Sequence, residues 1–471
     1  MENNIVLVNP PFVYFPKNER SKYNYCRPPL GLCYLAGYLR KHRPGRDRVR
    51  IVDTLIEKLS RRQWVELIAE SKPDIIGFTV VTPTAMEASR MAAELRKLCP
   101  GATLVAGGPH ATVRPEDLSP AFDIVAIGEG EQTMLEIVNA VSGERDLSGI
   151  DGIAYRQDGD IVKTGRREFI TPLDSIPPPA RELLDLEAYY HSFPYRQRGG
   201  FFTTMFTGRG CPNNCYFCGN EALWRRKIRF HSLDYVADEL DMLVNRLNTS
   251  LIFFDDDDFL SKKSRAIEIC GTIVKMKTGL KWICHLCASS IDEEALKIMR
   301  RSGCVEVQIG VESGSDGILK NIPKCGDTKL LAEKFKLVKK SGINSWGTFI
   351  IGHGDDTRES IMDTINFSIK IDPTYASFII LLPFPGTEAF GDFKKKGYLK
   401  TTNWEDYTWH GDPVFEKPDL KAREMVSLRA LANKKFYLRP AKLLGLTLHT
   451  LAAGSFREML RNFLAWLSVV K

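Results

Sequence analysis

Phe201-Phe-Thr-Thr-Met-Phe-Thr-Gly208-Arg-Gly-Cys211-Pro-Asn-Asn-Cys215-Tyr-Phe-Cys218 is the stretch on which the reading of this chain turns. Its opening residues are aromatic, β-branched or apolar, the composition of a strand. Pro212 and Asn213-Asn214 then disfavour helix, so the three cysteines sit in a loop at the carboxyl end of that strand. Three thiols this close either bind a soft metal centre or pair oxidatively. Structural zinc normally takes four protein ligands, and no fourth stands at the expected spacing. A cubane iron–sulfur cluster held by three cysteines leaves one iron free to bind something else.

Downstream, strand patterns recur at 250–254, 281–284, 305–310, 347–351 and 375–381, with helical patterns between them. Six βα units in succession predict a partial (β/α)6 barrel over 200–400, its catalytic surface at the strand carboxyl ends. Upstream, strand and helix patterns alternate over 1–145, which predicts a doubly wound parallel sheet. Ligands of such sheets bind beyond the strand ends, here a rim of Thr79 to Thr82, Gly107 to Thr112 and Gly128 to Glu131. Asp158-Gly-Asp160 marks a hairpin, and Pro172 to Pro179 a linker, so 146–199 reads as a hairpin and Pro-rich spacer. Residues 401–471 read as a mostly helical C-terminal region.

The fold class is therefore α/β, and the composition agrees. Hydrophobic residues make up 44% and charged residues 26% of 471 residues, which excludes wholesale disorder and a polytopic membrane protein. A formal charge of +7 is mild and gives no reason to expect a nucleic-acid partner. Eleven cysteines, without an export signal at Met1-Glu-Asn-Asn, point to a reducing, cytoplasmic setting. From Lys434 onward, basic residues (Arg439, Lys442, Arg457, Arg461) interleave with Phe436, Leu444, Phe463 and Trp466. Two readings of this tail stand: an amphipathic segment on the inner membrane face, or a terminal helix packed on the barrel.

CxxxCxxC with Arg209-Gly-Cys-Pro before it and Tyr216-Phe before its last cysteine resembles the radical S-adenosylmethionine (SAM) enzymes. The resemblance implies that Cys211, Cys215 and Cys218 ligate a [4Fe-4S] cluster whose open iron binds SAM, with Phe217 near the adenine. Phe254-Asp-Asp-Asp-Asp-Phe259 is similar to an FxDDxF strand end, which implies Asp256 or Asp257 at the SAM ammonium. Ile309-Gly-Val-Glu312-Ser313-Gly314 resembles a GVESG strand end, which implies Glu312 and Ser313 at the ribose or methionine part. Departures exist: Gly352-His-Gly-Asp-Asp-Thr357 stands where relatives read GxPGET, and Cys287 where an Arg is often seen. Cys284 and Cys287 also form a CxxC pair with no matching second pair.

Arg27-Pro-Pro-Leu-Gly-Leu32, Gly107-Gly-Pro-His-Ala-Thr112 and Gly128-Glu-Gly-Glu131 resemble the cobalamin-binding domain that precedes such barrels in B12-dependent methyltransferases and the anaerobic Mg-protoporphyrin monomethyl ester cyclase. This implies Thr79, Gly107, Gly108, His110, Gly128 and Glu129 at the corrin, although the DxHxxG motif of other B12 proteins is absent. His110 is either an imidazole on the rim or a loop cap, the latter favoured. The implied activity is methylation or other modification of an unactivated carbon on a small, hydrophobic substrate (lipid, isoprenoid or tetrapyrrole). A flavodoxin or ferredoxin would supply electrons. A cyclase, a barrel enzyme without B12, and a non-catalytic iron–sulfur or zinc protein are the alternatives. No residue is assigned to catalysis itself.

Overall fold

The computed structural model describes residues 2–11, 27–56, 59–189, 200–409 and 411–452. They fall into two compact units, one within 1–13, 26–189 and 403–407 and the other within 190–402 and 408–471.

The first unit is built on a seven-stranded sheet of β1 (Asn3–Asn9), β2 (Asp47–Asp53), β3 (Ile75–Thr79), β4 (Thr103–Gly107), β5 (Ile124–Ala126), β6 (Ile153–Gln157) and β7 (Asp160–Lys163). Its order is β2-β1-β3-β4-β5-β6-β7. The pairings from β2 through β5 are parallel, and β6 and β7 add an antiparallel hairpin. Ile5, Val6, Leu7 and Val8 are all fully buried. That continuous burial is what helices on both faces of a parallel strand demand. Leu32 and Leu39 of the helix Leu30–His42, with Ile137 and Val138 of the helix Gly130–Val141, join Ile5, Leu7 and Ile124 in one core.

Two further segments join this sheet's unit. The hairpin expected around Asp158-Gly-Asp160 extends the first sheet: Ile153 and Ala154 are buried, and β6 pairs with β5, whose backbone would otherwise be an open edge. Residues 403–407, expected in the C-terminal region, belong to this unit, where Trp404 is buried.

The second unit carries β8 (Phe201–Met205), a two-residue antiparallel pair β9 (Gly208–Arg209) and β10 (Arg229–Phe230), then β11 (Thr249–Phe254), β12 (Lys281–Leu286), β13 (Cys304–Glu312), β14 (Asn344–Ile351) and β15 (Tyr375–Ile380). The six long strands form one parallel sheet in sequential order, β8-β11-β12-β13-β14-β15, the predicted half-barrel. Trp282 packs on Phe254 and Phe259, and the alternate residues Ile283 and Phe253 join Phe202 and Leu251 in a separate cluster. Successive side chains thus divide between two faces, as the period of a strand requires. Asp292, Asp327 and Thr357 each accept a backbone N–H from the first turn of the helix that follows, so these three strand-to-helix turns are fixed by caps.

No described helix is long and apolar enough to cross a membrane. The helix Pro440–Ala452 carries exposed Leu444 and Leu448. The rest of the basic tail, including Arg457, Arg461, Phe463 and Trp466, lies outside the described residues, as does Cys26.

Candidate active site

The cysteine loop leaves the end of β8 through Thr207, and buried groups hold that exit. Asp256, just past β11, accepts hydrogen bonds from Thr207 N (3.1 Å) and Thr207 Oγ1 (3.0 Å), while Arg265 donates to Thr207 O (3.1 Å). Burial pushes the Asp256 carboxyl up to about 7, against the opposing pull of the Thr207 bonds. Beyond this exit Cys211 and Cys215 are buried and Cys218 is partly so, and Cys218 N donates to Cys215 O at 2.9 Å. The thiols differ. A hydrogen bond from the Cys287 thiol, aided by Asn213, lowers Cys211 to about 6, whereas burial raises Cys215 to about 11 and also raises Cys218.

Between Cys215 and Phe217, Tyr216 anchors the loop. Its hydroxyl meets His353 Nδ1 at 2.7 Å and accepts from Gly354 N at 3.2 Å, and its carbonyl accepts from Ala389 N at 3.0 Å. The Gly352–Asp356 turn that departs from the expected motif is thus a working part of the loop's support. Asp356 closes it by accepting from Gly352 N (2.8 Å) and His353 N (2.9 Å), and Lys417 donates to the Gly354 carbonyl at 3.1 Å. His353 is fully buried, which holds its pKa below the usual value and keeps the ring neutral.

Glu312 ends β13 with φ +65°, a left-handed conformation costing on the order of 1–3 kcal/mol for a residue with a Cβ. Its carboxylate pairs with Lys324 Nζ at 2.6 Å, and Lys324 lies 5.8 Å above the Phe217 ring. Burial opposes the lysine's charge, but the Glu312 carboxylate holds it protonated, well above its ordinary range. Gly310 makes room for the pair: a Cβ there would collide with the Glu312 carboxylate and come within 2.7 Å of Lys324 Nζ. Lys324 was not legible from sequence, because it lies between strands in no recognised motif.

The acidic run divides its work. Asp258 is buried and accepts from Cys287 N (3.2 Å), Leu260 N (3.2 Å) and Ser290 Oγ (3.0 Å). Asp255 lies 3.5 Å from His285 Nε2. Asp257 is the exposed member, hydrogen-bonded to Asn220. Of the two expected ammonium contacts, Asp256 is therefore committed to Thr207 and Asp257 is available. Ser313 likewise turns away, with its hydroxyl 3.1 Å from Thr364 Oγ1 and accepting from Ser315 N.

In the first unit the expected rim residues divide: His110 and Glu129 are buried, Thr79, Gly107 and Gly108 are half-buried, and Gly128 is exposed. His110 is fully buried, with Nδ1 3.2 Å from Thr82 Oγ1, Nε2 3.5 Å from Asp117 Oδ2, and its ring edge-on to Trp404 at 5.4 Å. Burial lowers it to about 4, so it is neutral and core-bound. Glu129 is buried and accepts from Ile170 N at 2.8 Å. Gly108 has φ +99°, and a Cβ there would stand 3.0 Å from the Val80 backbone. It serves the β3–β4 junction before any ligand. Gly128 has open space where a Cβ would be, and Thr79 is half-buried at the end of β3.

Among the described residues no three His, Cys, Asp or Glu side chains converge tightly enough to hold a single metal ion. A cubane asks for something else, since each thiolate binds a different iron. Three thiols in one loop, two of them buried and all influenced by Lys324 or by a hydrogen-bond donor, are a donor set that suits such a cluster. The first unit offers backbone approach at Gly128 but turns its rim imidazole inward.

The B12-binding domain family matches residues 20–138, and the radical SAM superfamily matches 205–368. An uncharacterised methyltransferase of Pyrococcus horikoshii is 35% identical over 420 residues, covering 88% of this chain and 89% of the relative. The anaerobic magnesium-protoporphyrin IX monomethyl ester cyclase of Rubrivivax gelatinosus is 30% identical over 424 residues, 88% of this chain and 74% of that one. Among solved structures, the radical SAM methyltransferase TsrM from Kitasatospora setae, with cobalamin and a [4Fe-4S] cluster bound, gives a TM-score of 0.67 at 20% identity, covering 84% of this chain and 75% of that one. The cobalamin-dependent radical enzyme OxsB gives 0.74 at 18% identity over 99% of this chain and 72% of its own, a likeness of fold.

Proposed function

This chain belongs to the radical SAM enzymes that carry a B12-binding domain, and from that premise we propose that it is a cobalamin-dependent methyltransferase acting on an unactivated carbon. The observation that carries the reading is the meeting of the cysteine loop with the strained Glu312 and its partner Lys324. When bound, a [4Fe-4S] cluster supplies the electron that cleaves the sulfonium of SAM, and cobalamin supplies a methyl carrier.

Cys211, Cys215 and Cys218 would hold the cluster. Asp256 and Arg265 keep the loop's entry in place, and His353 keeps Tyr216, hence Phe217, in place. Lys324 would meet the carboxylate of SAM, Asp257 its ammonium, Glu312 its ribose, and Phe217 its adenine. Thr79, Gly107 and Gly128 would face the corrin, with Gly108, His110 and Glu129 shaping that rim from behind.

Phe202, Leu251, Phe253 and Ile283 form an apolar cluster on one part of the inner sheet face. By strand register, Gln308, Trp346 and Tyr375 continue that face beyond His285. These residues suit a small molecule with an apolar ring body and polar substituents, a class that includes tetrapyrroles. A flavodoxin or ferredoxin is the proposed electron source. Exposed Leu438, Leu444 and Leu448 support peripheral association with a membrane through the C-terminal helices.

The test is anaerobic reconstitution with iron, sulfide and hydroxocobalamin, followed by reduction in the presence of SAM. Release of both 5′-deoxyadenosine and S-adenosylhomocysteine is expected. 5′-Deoxyadenosine alone would favour the cyclase alternative, and neither product would overturn the reading.

A further inference from the structure

Cys287 stands at the carboxyl end of β12, 5% exposed, where its N–H donates to Asp258 Oδ1 at 3.2 Å and fixes the turn. Asn213 Nδ2 lies 3.4 Å from Cys211 Sγ and 3.6 Å from Cys287 Sγ, so one side-chain amide spans both sulfurs. Its CxxC partner Cys284 is fully buried and interacts with Cys304 and Cys270 instead. The CxxC spacing therefore assembles no second metal pair. It leaves Cys287 alone with a thiol of the cysteine loop.

We propose that Asn213 and Cys287 set the reduction potential of the cluster, Asn213 through its N–H against the Cys211 sulfur and Cys287 through a thiol that the same amide holds alongside it. The inference rests on the three-cysteine cluster reading above. Reduction adds one negative charge to the cluster and its sulfur ligands. Donors pointing at a ligand sulfur stabilise that charge and make the potential less negative. Neither residue exchanges an electron or breaks a bond, so both are positioning residues. Cys215 and Cys218 lack a comparable side-chain donor among the described hydrogen bonds, so the effect of Asn213 and Cys287 enters through Cys211.

The test is an EPR-monitored redox titration of the reconstituted full chain, without SAM, for wild type, C287A, C287S and N213A, with iron counted in each. At the potential where wild type is half reduced, C287A and N213A should show a reduced-to-oxidised ratio lower by about threefold to tenfold, tenfold corresponding to 59 mV for one electron. C287S, which keeps an O–H donor, should recover part of the loss. Wild-type ratios in both C287A and N213A, with full iron content, overturn the proposal. If C287A fails to take up iron, N213A decides alone. Wild type that takes up no [4Fe-4S] cluster would instead bring down the reading beneath, and this inference with it.

Discussion

The strand ends of the two sheets were read from sequence by the same rule, yet they behave differently. At the rim of the first sheet, His110, Glu129 and Gly108 spend their polar groups or conformational freedom on the sheet's own loops. At the end of the second, Glu312 keeps a strained backbone and a buried ion pair beside a loop of thiols. The first arrangement is what any α/β sheet needs to finish its strands. The second stores strain and charge that folding alone does not require, and such outliers mark sites of chemistry.

The strongest way to sharpen this contrast is to remove the thiols. Replacing Cys211, Cys215 and Cys218 with alanine should abolish cluster absorbance and SAM cleavage after reconstitution, while corrin binding measured by visible spectroscopy stays at the wild-type level. Loss of corrin binding as well would mean the two ends are not functionally separate.

Lys324→Ala comes next. It leaves the Glu312 carboxylate buried without its partner, a change that costs about 3–5 kcal/mol. Denaturant unfolding of the second unit should shift accordingly, and SAM affinity should fall with it. A stability within experimental error of wild type would show that the pair is solvated.

The pH dependence of stability should carry opposite signs in the two units. His110 titrates near 4 when folded and near 6.5 when unfolded, so the unfolded chain binds the extra proton between those values. The first unit should lose stability as pH falls from about 6.5 to 4, by up to about 1.4 kcal/mol per pH unit, and His110→Gln should flatten that slope. Asp256 titrates near 7 when folded against 3.8 ordinarily, so there the folded state keeps the proton. Its contribution is present below about 4 and is lost as pH rises towards 7, and Asp256→Asn should remove that trend. Parallel slopes in both units, followed by hydrogen exchange, would break the comparison.

The smallest expected effect belongs to Asp257→Asn. The residue is exposed, so stability should change by less than about 0.5 kcal/mol, while SAM binding by calorimetry weakens several-fold.

Much of the architecture was legible because its signals are local. Ile5 to Val8 is a short apolar run that falls within β1, and the six second-unit strands fell close to their predicted places. The cysteine loop was legible because thiols at that spacing have few other uses. What sequence did not supply depends on tertiary neighbours. Lys324 and His353 reach the loop from turns more than a hundred residues downstream, and nothing local distinguishes them from surface charge or a turn histidine. Asp256 and Asp257 look equivalent in a run of four aspartates, and only the packing of Thr207 against one of them tells them apart. The hairpin around Asp158-Gly-Asp160 was legible from its turn residues, but its antiparallel addition to β5 depends on a partner distant in sequence.

The most direct measurement is Mössbauer spectroscopy of the anaerobic wild-type protein, reconstituted with isotopically enriched iron and recorded before and after SAM. One iron site in four should change its isomer shift when SAM is added while the other three stay fixed, as three cysteine ligands and one open corner require. Four sites that remain indistinguishable and unmoved by SAM would contradict the account.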